Sequence, residues 1–140
     1  MSLTGRPMPE PDPDDEFFWS GLPGRLLVPR CEECGHAWLR PIPACPQCGS
    51  TRVQAVERSG RGIVYTWVVV HHALDPAFAA DVPYTVVTVE LECGARLPGR
   101  LLGAEPPSAG LAVQFEPSRR NDVYLPAFRP VTRASEVDSA

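Results

Sequence analysis

The chain has 140 residues, 17 prolines, 11 glycines and a net charge of −4, room for one ordinary domain or a small metal module joined to a modest core. Its 13 basic residues are all arginine, which excludes a Schiff-base lysine or a lysine general base. No apolar run approaches the roughly 18–20 residues that cross a bilayer, and the acidic, Pro-rich start lacks the apolar core of a secretory signal, so a reducing cytoplasm and no membrane partner are expected.

Residues 1–24 read as an arm and a short helix. Residues 1–11 are proline-rich with little to bury. Asp12 suits an N-cap and Pro13 the first helical position, with further acids at the positive end of the dipole. The helix then spans Pro13 to Ser20 and stops at Gly21, with Pro23 beyond. Phe17, Phe18 and Trp19 follow one another and cannot all bury against one small face. They either pack on the chain's own core or form an aromatic patch that docks a partner.

Residues 25–55 carry the strongest motif. After a short strand at Leu26–Val28 come two hooks, Cys31-Glu-Glu-Cys34 and Cys45-Pro-Gln-Cys48, separated by ten residues. Four thiolates at this spacing close a tetrahedron round one ion, with zinc the default occupant. Iron in a rubredoxin-like site and a pair of disulfides are the alternatives. A glycine follows each hook, Gly35 and Gly49, where the tight turn calls for positive φ. His36 sits close enough to compete for the metal but is outnumbered by cysteines; Trp38 and Leu39 are placed to cover the site. Four protein ligands leave no open position for water or substrate, so the site is structural.

Residues 56–130 change to strands. Ile63–Val70 is β-branched and aromatic throughout, with Ile63, Tyr65, Trp67 and Val69 on one face and Val64, Thr66, Val68 and Val70 on the other. Both faces are apolar or nearly so, as in a strand buried inside a small barrel. A loop with one helical turn over residues 73–83 leads to a strand at Tyr84–Glu92, which Cys93-Gly94 turns into Ala95–Leu102. Leu111–Glu116 follows, and Asn121-Asp122 turns the chain into Val123–Leu125. About five strands in 75 residues match a small closed barrel of the OB type. The expected architecture is mainly β: a short N-terminal helix, a rubredoxin-like zinc ribbon, a five-stranded OB-fold barrel, and a flexible tail over residues 131–140.

Nothing in the sequence assembles a catalytic constellation. Cys45-Pro-Gln-Cys48 invites a zinc-deaminase reading, but the required His-x-Glu is missing. His71 and His72 are adjacent on a strand and point to opposite faces, and Cys93 has no neighbouring base. No nucleophile elbow, phosphate loop or dinucleotide fingerprint occurs. Arg58 and Arg61 flank the barrel entry, Arg96 and Arg100 share one strand face, and Arg119-Arg120 lie at a turn, where they serve either as surface charge or as forks for phosphates. Residues 56–129 sum to only −1, which counts against the basic groove of a nucleic-acid binder. A single-stranded nucleic-acid-binding OB protein is the alternative reading.

With ribbon and barrel placed, the chain resembles the DUF35 family, a zinc ribbon followed by an OB-fold and associated with acyl-CoA. The matching stretches are Phe17-Phe-Trp-Ser-Gly21, Leu26-Leu-Val-Pro-Arg-Cys31-Glu-Glu-Cys34-Gly, Cys45-Pro-Gln-Cys48-Gly-Ser, Gly60-Arg-Gly-Ile-Val-Tyr65-Thr, Val82-Pro-Tyr84 and Leu125-Pro-Ala-Phe128-Arg-Pro130. The resemblance covers Glu16 to Pro130. It implies a non-catalytic partner of a thiolase-fold enzyme: a thiolase, an acyl-CoA condensing enzyme, or a lipid-transfer-type aldolase that cleaves steroid side-chain CoA thioesters. It also implies coenzyme A thioester at a shared site, with Arg61, Arg96 and Arg100 as candidate phosphate contacts and Phe17–Trp19 as candidate docking residues.

Overall fold

A computed structural model describes residues 16–22, 24–38, 44–120 and 123–131. A six-residue helix, α1 (Glu16–Gly21), opens the described chain. The start expected for it, Asp12 to Asp15, lies outside the described residues. β1 (Leu26–Cys31) and β2 (Val53–Arg58) pair antiparallel, from Leu26 opposite Arg58 to Cys31 opposite Val53. These two strands bracket the hooks and hold them at one end of a ribbon.

The barrel follows. β3 (Arg61–Val70), β4 (Tyr84–Leu91), β5 (Arg96–Leu101), β6 (Ala112–Phe115) and β9 (Ala127–Pro130) close in the order β3-β4-β5-β9-β6. All neighbours are antiparallel except β5 and β9. The intervening β7 (Ser118–Arg120) and β8 (Val123–Leu125) form a separate hairpin. The barrel is therefore closed by Ala127–Pro130 and not by the strand expected at Val123–Leu125. Pro130 costs no internal ladder bond because it is the last residue of its strand.

The core is shared between ribbon and barrel. Val64, Val87, Val89, Leu91, Leu97, Val113 and Phe128 fill the barrel, and Phe18, Leu26, Val28 and Ala37 belong to the same cluster. The ribbon thus stands on the barrel through apolar contact and is not tethered by a linker alone. Gly62 permits the closest approach: a Cβ there would lie 2.5 Å from the Glu90 carbonyl oxygen and 2.6 Å from a Val89 methyl.

β3 differs from the expected buried strand. Its register against β4 slips between Val64 and Thr66, where Tyr65 is the extra residue of a bulge. Val64 lies opposite Val89, and beyond the bulge Trp67 lies opposite Val87. Directly opposed residues share a face, so Trp67 and Val69 join Val64 on the inward side, and strict alternation fails. β6 covers only Arg61–Ile63 of β3, and from Tyr65 to Val69 every residue is exposed.

Candidate metal centre

The two hooks fold alike because the same backbone bonds are available to each. The Gly35 amide donates to the Cys31 carbonyl at 3.0 Å and the Gly49 amide to the Cys45 carbonyl at 2.9 Å. Both glycines have φ of 79°, the left-handed region that a side chain resists. The Cys31 amide donates to the His36 carbonyl, and the Cys45 amide to that of Ser50. Within each turn, backbone amides also face sulfur: those of Glu33 and Cys34 donate to Cys31 Sγ, and that of Gln47 to Cys45 Sγ, each at 3.4 Å.

This arrangement gathers the four sulfurs within 4.8 Å of one another. Cys31 Sγ lies 3.5 Å from Cys48 Sγ, and Cys34 Sγ lies 3.6 Å from Cys45 Sγ. A tetrahedral ion with bonds of about 2.3 Å to sulfur needs edges of about 3.8 Å, so the set fits a zinc-sized ion with little adjustment. The sulfur separations far exceed a disulfide bond, and all four cysteines are free thiols. One member of each hook is buried, Cys31 and Cys45, and one is exposed.

Electrostatics points the same way. The Cys34 amide, with those around it, holds the Cys31 thiol down to about 6. Against the pull of the Ser50 amide, the Cys31 sulfur and burial push Cys48 up to about 12. Thiols this close resist losing all their protons together unless a cation sits between them. Zinc bound here would hold the ribbon's shape, and this all-sulfur donor set has no vacant position.

The surroundings keep the site dry on one side. Trp38 and Val53 pack on the two buried cysteines, and the Trp38 ring stacks on His36 at 5.7 Å. His36 is thus committed to a ring contact beside the site. Leu39, the other expected cover residue, lies outside the described residues.

Residues singled out elsewhere are not brought to the metal. Phe18 is buried at 9% exposure and meets Trp19 edge-on, with ring centroids 5.1 Å apart. Trp19 is partly buried against the same core. Arg96 pairs with Glu90 at 3.3 Å and lies over the Tyr65 ring at 3.7 Å. Arg100 pairs with Asp81 at 3.1 Å and lies over the Tyr84 ring at 3.9 Å. Arg61 instead lines a cleft of about 340 Å³ where ribbon meets barrel, together with Arg58, Ser59, Glu92 and Cys93. The Nε of Arg58 is itself buried without a hydrogen-bond partner. Arg58 is half-buried and lies opposite Leu26 in the β1–β2 ladder, on the face that the ribbon turns toward the core. His71 and His72 are both exposed.

Comparison with known proteins gives the family. Residues 18–54 match the family model for the ChsH2 rubredoxin-like zinc ribbon domain, and residues 55–116 that for the ChsH2 C-terminal OB-fold domain. The chain is 37% identical over 135 residues to a probable enoyl-CoA hydratase alpha subunit of Thermomonospora curvata, covering 94% of this chain and 42% of that protein. It is 35% identical over 92 residues to a DUF35 domain-containing scaffold protein of Methanocaldococcus jannaschii, covering 65% of this chain and 64% of that one. The chain thus spans less than two thirds of either relative. Among solved structures, a chain of the Ltp2-ChsH2(DUF35) aldolase superposes with a TM-score of 0.78 at 36% identity, covering 89% of this chain and 100% of that one. With ribbon, barrel and four-sulfur centre in the same order throughout, the chain belongs to the DUF35 family.

Proposed function

We propose that this protein is a non-catalytic accessory subunit that docks on a thiolase-fold enzyme, stabilises it and helps form its acyl-CoA channel. The enzyme would be a thiolase, an acyl-CoA condensing enzyme or a steroid side-chain retro-aldolase. The observation that carries the reading is the close likeness of 89% of this chain to a chain of the Ltp2-ChsH2(DUF35) aldolase. The scaffold name of the archaeal relative supports a role without chemistry of its own. The hydratase name of the actinobacterial relative supports acyl-CoA as the substrate class of the assembly. Among the described residues the one dense cluster of potential ligands is the four cysteines, and these have no position left for a substrate.

The cleft between ribbon and barrel supports a contact with the phosphates of coenzyme A. Arg61 and Arg58 both line it, beside Glu57 and Glu92, and two guanidinium forks on one wall suit a phosphate. Arg96 and Arg100 already hold carboxylates and would have to exchange them for a phosphate. Of the aromatic trio, Trp19 keeps part of its surface for docking while Phe18 faces inward.

The test is co-expression with each thiolase-fold enzyme of the same genome. The expected result is a stable complex, with enzyme solubility and thioester turnover both dependent on the accessory chain. Full solubility and activity of the enzyme alone would sink the proposal.

A further inference from the structure

Large apolar side chains left exposed among the described residues gather in one place. Ile63, Tyr65, Trp67, Val68 and Val69 lie on β3, and Leu74 in the loop after it; Val68 is 60% exposed and Leu74 93%. β3 has neighbours on both edges only as far as Val64, whose amide and carbonyl bond Leu111 and Gly110. From Thr66 to Val70 its only strand neighbour among the described residues is β4. Trp67 and Val69 occupy one face of this arm, and Val68 and Val70 the other. No residue from Gly62 to Val70 carries a charge. Native proteins protect open strand edges with charge, proline or cover, and among the described residues this edge has none of them.

We infer that the β3–β4 arm, Thr66–Val70 with Leu74 beyond it, inserts into an uncharged apolar groove on the enzyme subunit. This rests on the accessory-subunit reading above. The occupant follows from the shape of the patch. Edge-to-edge pairing with a second copy would add a strand to the sheet and leave both apolar faces in water. A groove on a larger partner covers the edge and both faces at once, with main-chain bonds to the edge and pockets for alternate side chains.

The six side chains expose on the order of 600 Å², the upper end for a patch on a monomer. A standard interface buries about 800 Å² per partner, so the arm supplies the apolar centre and a polar rim completes the contact. The arm is held ready for insertion. Arg100, bound to Asp81 and laid over Tyr84, ties the loop after β3 to β5. Arg96, bound to Glu90, lies over Tyr65 at the arm's root. Little ordering remains to be done on binding.

The decisive experiment titrates the thiolase-fold enzyme that co-purifies with this chain, using the wild-type chain, Val68→Arg and Leu74→Glu. Both positions are solvent-exposed, so zinc content and circular dichroism are expected to match wild type. Binding is expected to weaken at least tenfold in each variant, and the amides of Thr66–Val70 to gain hydrogen-exchange protection in the wild-type complex. If both variants bind as wild type does and these amides stay unprotected, the arm assignment falls while the accessory-subunit reading stands. If wild type does not bind the enzyme, that reading falls and takes the arm with it. A wild-type homodimer in light scattering that Val68→Arg splits into monomers would assign the arm to a second copy and overturn the inference.

Discussion

At the scale of single residues, the fold depends on a few places where a side chain is required or forbidden. Gly62 is forbidden one, because β3 and β4 meet there with no room for a Cβ beside Glu90 and Val89. Gly62→Ala is expected to destabilise the chain by about 1–3 kcal/mol through overpacking, seen as a lower urea midpoint with an unchanged slope. Phe128 is the required counterpart: it is fully buried and closes the barrel from its last strand. These two positions differ in how readily a sequence reveals them. Phe128 sits in a short segment between prolines and looks like a terminator; its burial follows from pairing with β5 and β6, which are distant in sequence. The cysteines were legible at once, because metal chemistry restricts both residue type and spacing within 18 positions and needs no long-range partner.

At the scale of elements, strand ends are fastened by charge where the ladder gives out. Arg129 on β9 holds Glu116, just past β6, with two bonds of 2.9 Å. That hydrogen-bonded pair, with its Coulombic attraction, holds the Glu116 carboxyl below its usual range. A carboxyl with a depressed folded-state pKa adds stability that is full above its unfolded value, about 4.3, and is lost as pH falls through the folded value. Both side chains are about half exposed, so solvent screens much of the effect. Glu116→Gln is expected to lower the melting temperature slightly at pH 7 and to leave it unchanged at the acid end, in melts run from pH 7 to pH 2. Elements also mark where periodicity misleads. Ile63–Val70 is apolar at nearly every position and so reads as buried on both faces. The Tyr65 bulge and the early end of β6 leave half of it outside; neither is written in the strand's own composition, since burial depends on how far a neighbour extends.

At the scale of the whole molecule, ribbon and barrel are joined by a common core yet held by different forces. The ribbon tip has a small cluster of its own, Trp38 and Val53 on two cysteines, too little to fold without metal. The barrel has a closed ladder and an apolar filling. Removing zinc with a strong chelator is therefore expected to abolish amide protection at Cys31, Gly35, Cys45 and Gly49 while β3, β4 and β5 stay protected. Because Leu26, Val28 and Ala37 also belong to the barrel's cluster, the barrel's own unfolding midpoint should fall as well, though short of collapse. Hydrogen exchange followed by mass spectrometry reads both effects in one experiment. Simultaneous loss of protection in ribbon and barrel would show that the two are one cooperative unit.

The parallel pairing of β5 with β9 carries a consequence for synthesis. Hooks and both ribbon strands are complete once Arg58 has left the ribosome, so the ribbon can fold while the barrel is still being made. The barrel cannot, because its seam between β5 and β6 is filled only by Ala127–Pro130, which are translated after its other four strands. Until then β5 and β6 present open edges and Leu97 and Val113 lack Phe128. The interval between the folded ribbon and the arrival of β9 is when the barrel strands are most exposed to mispairing.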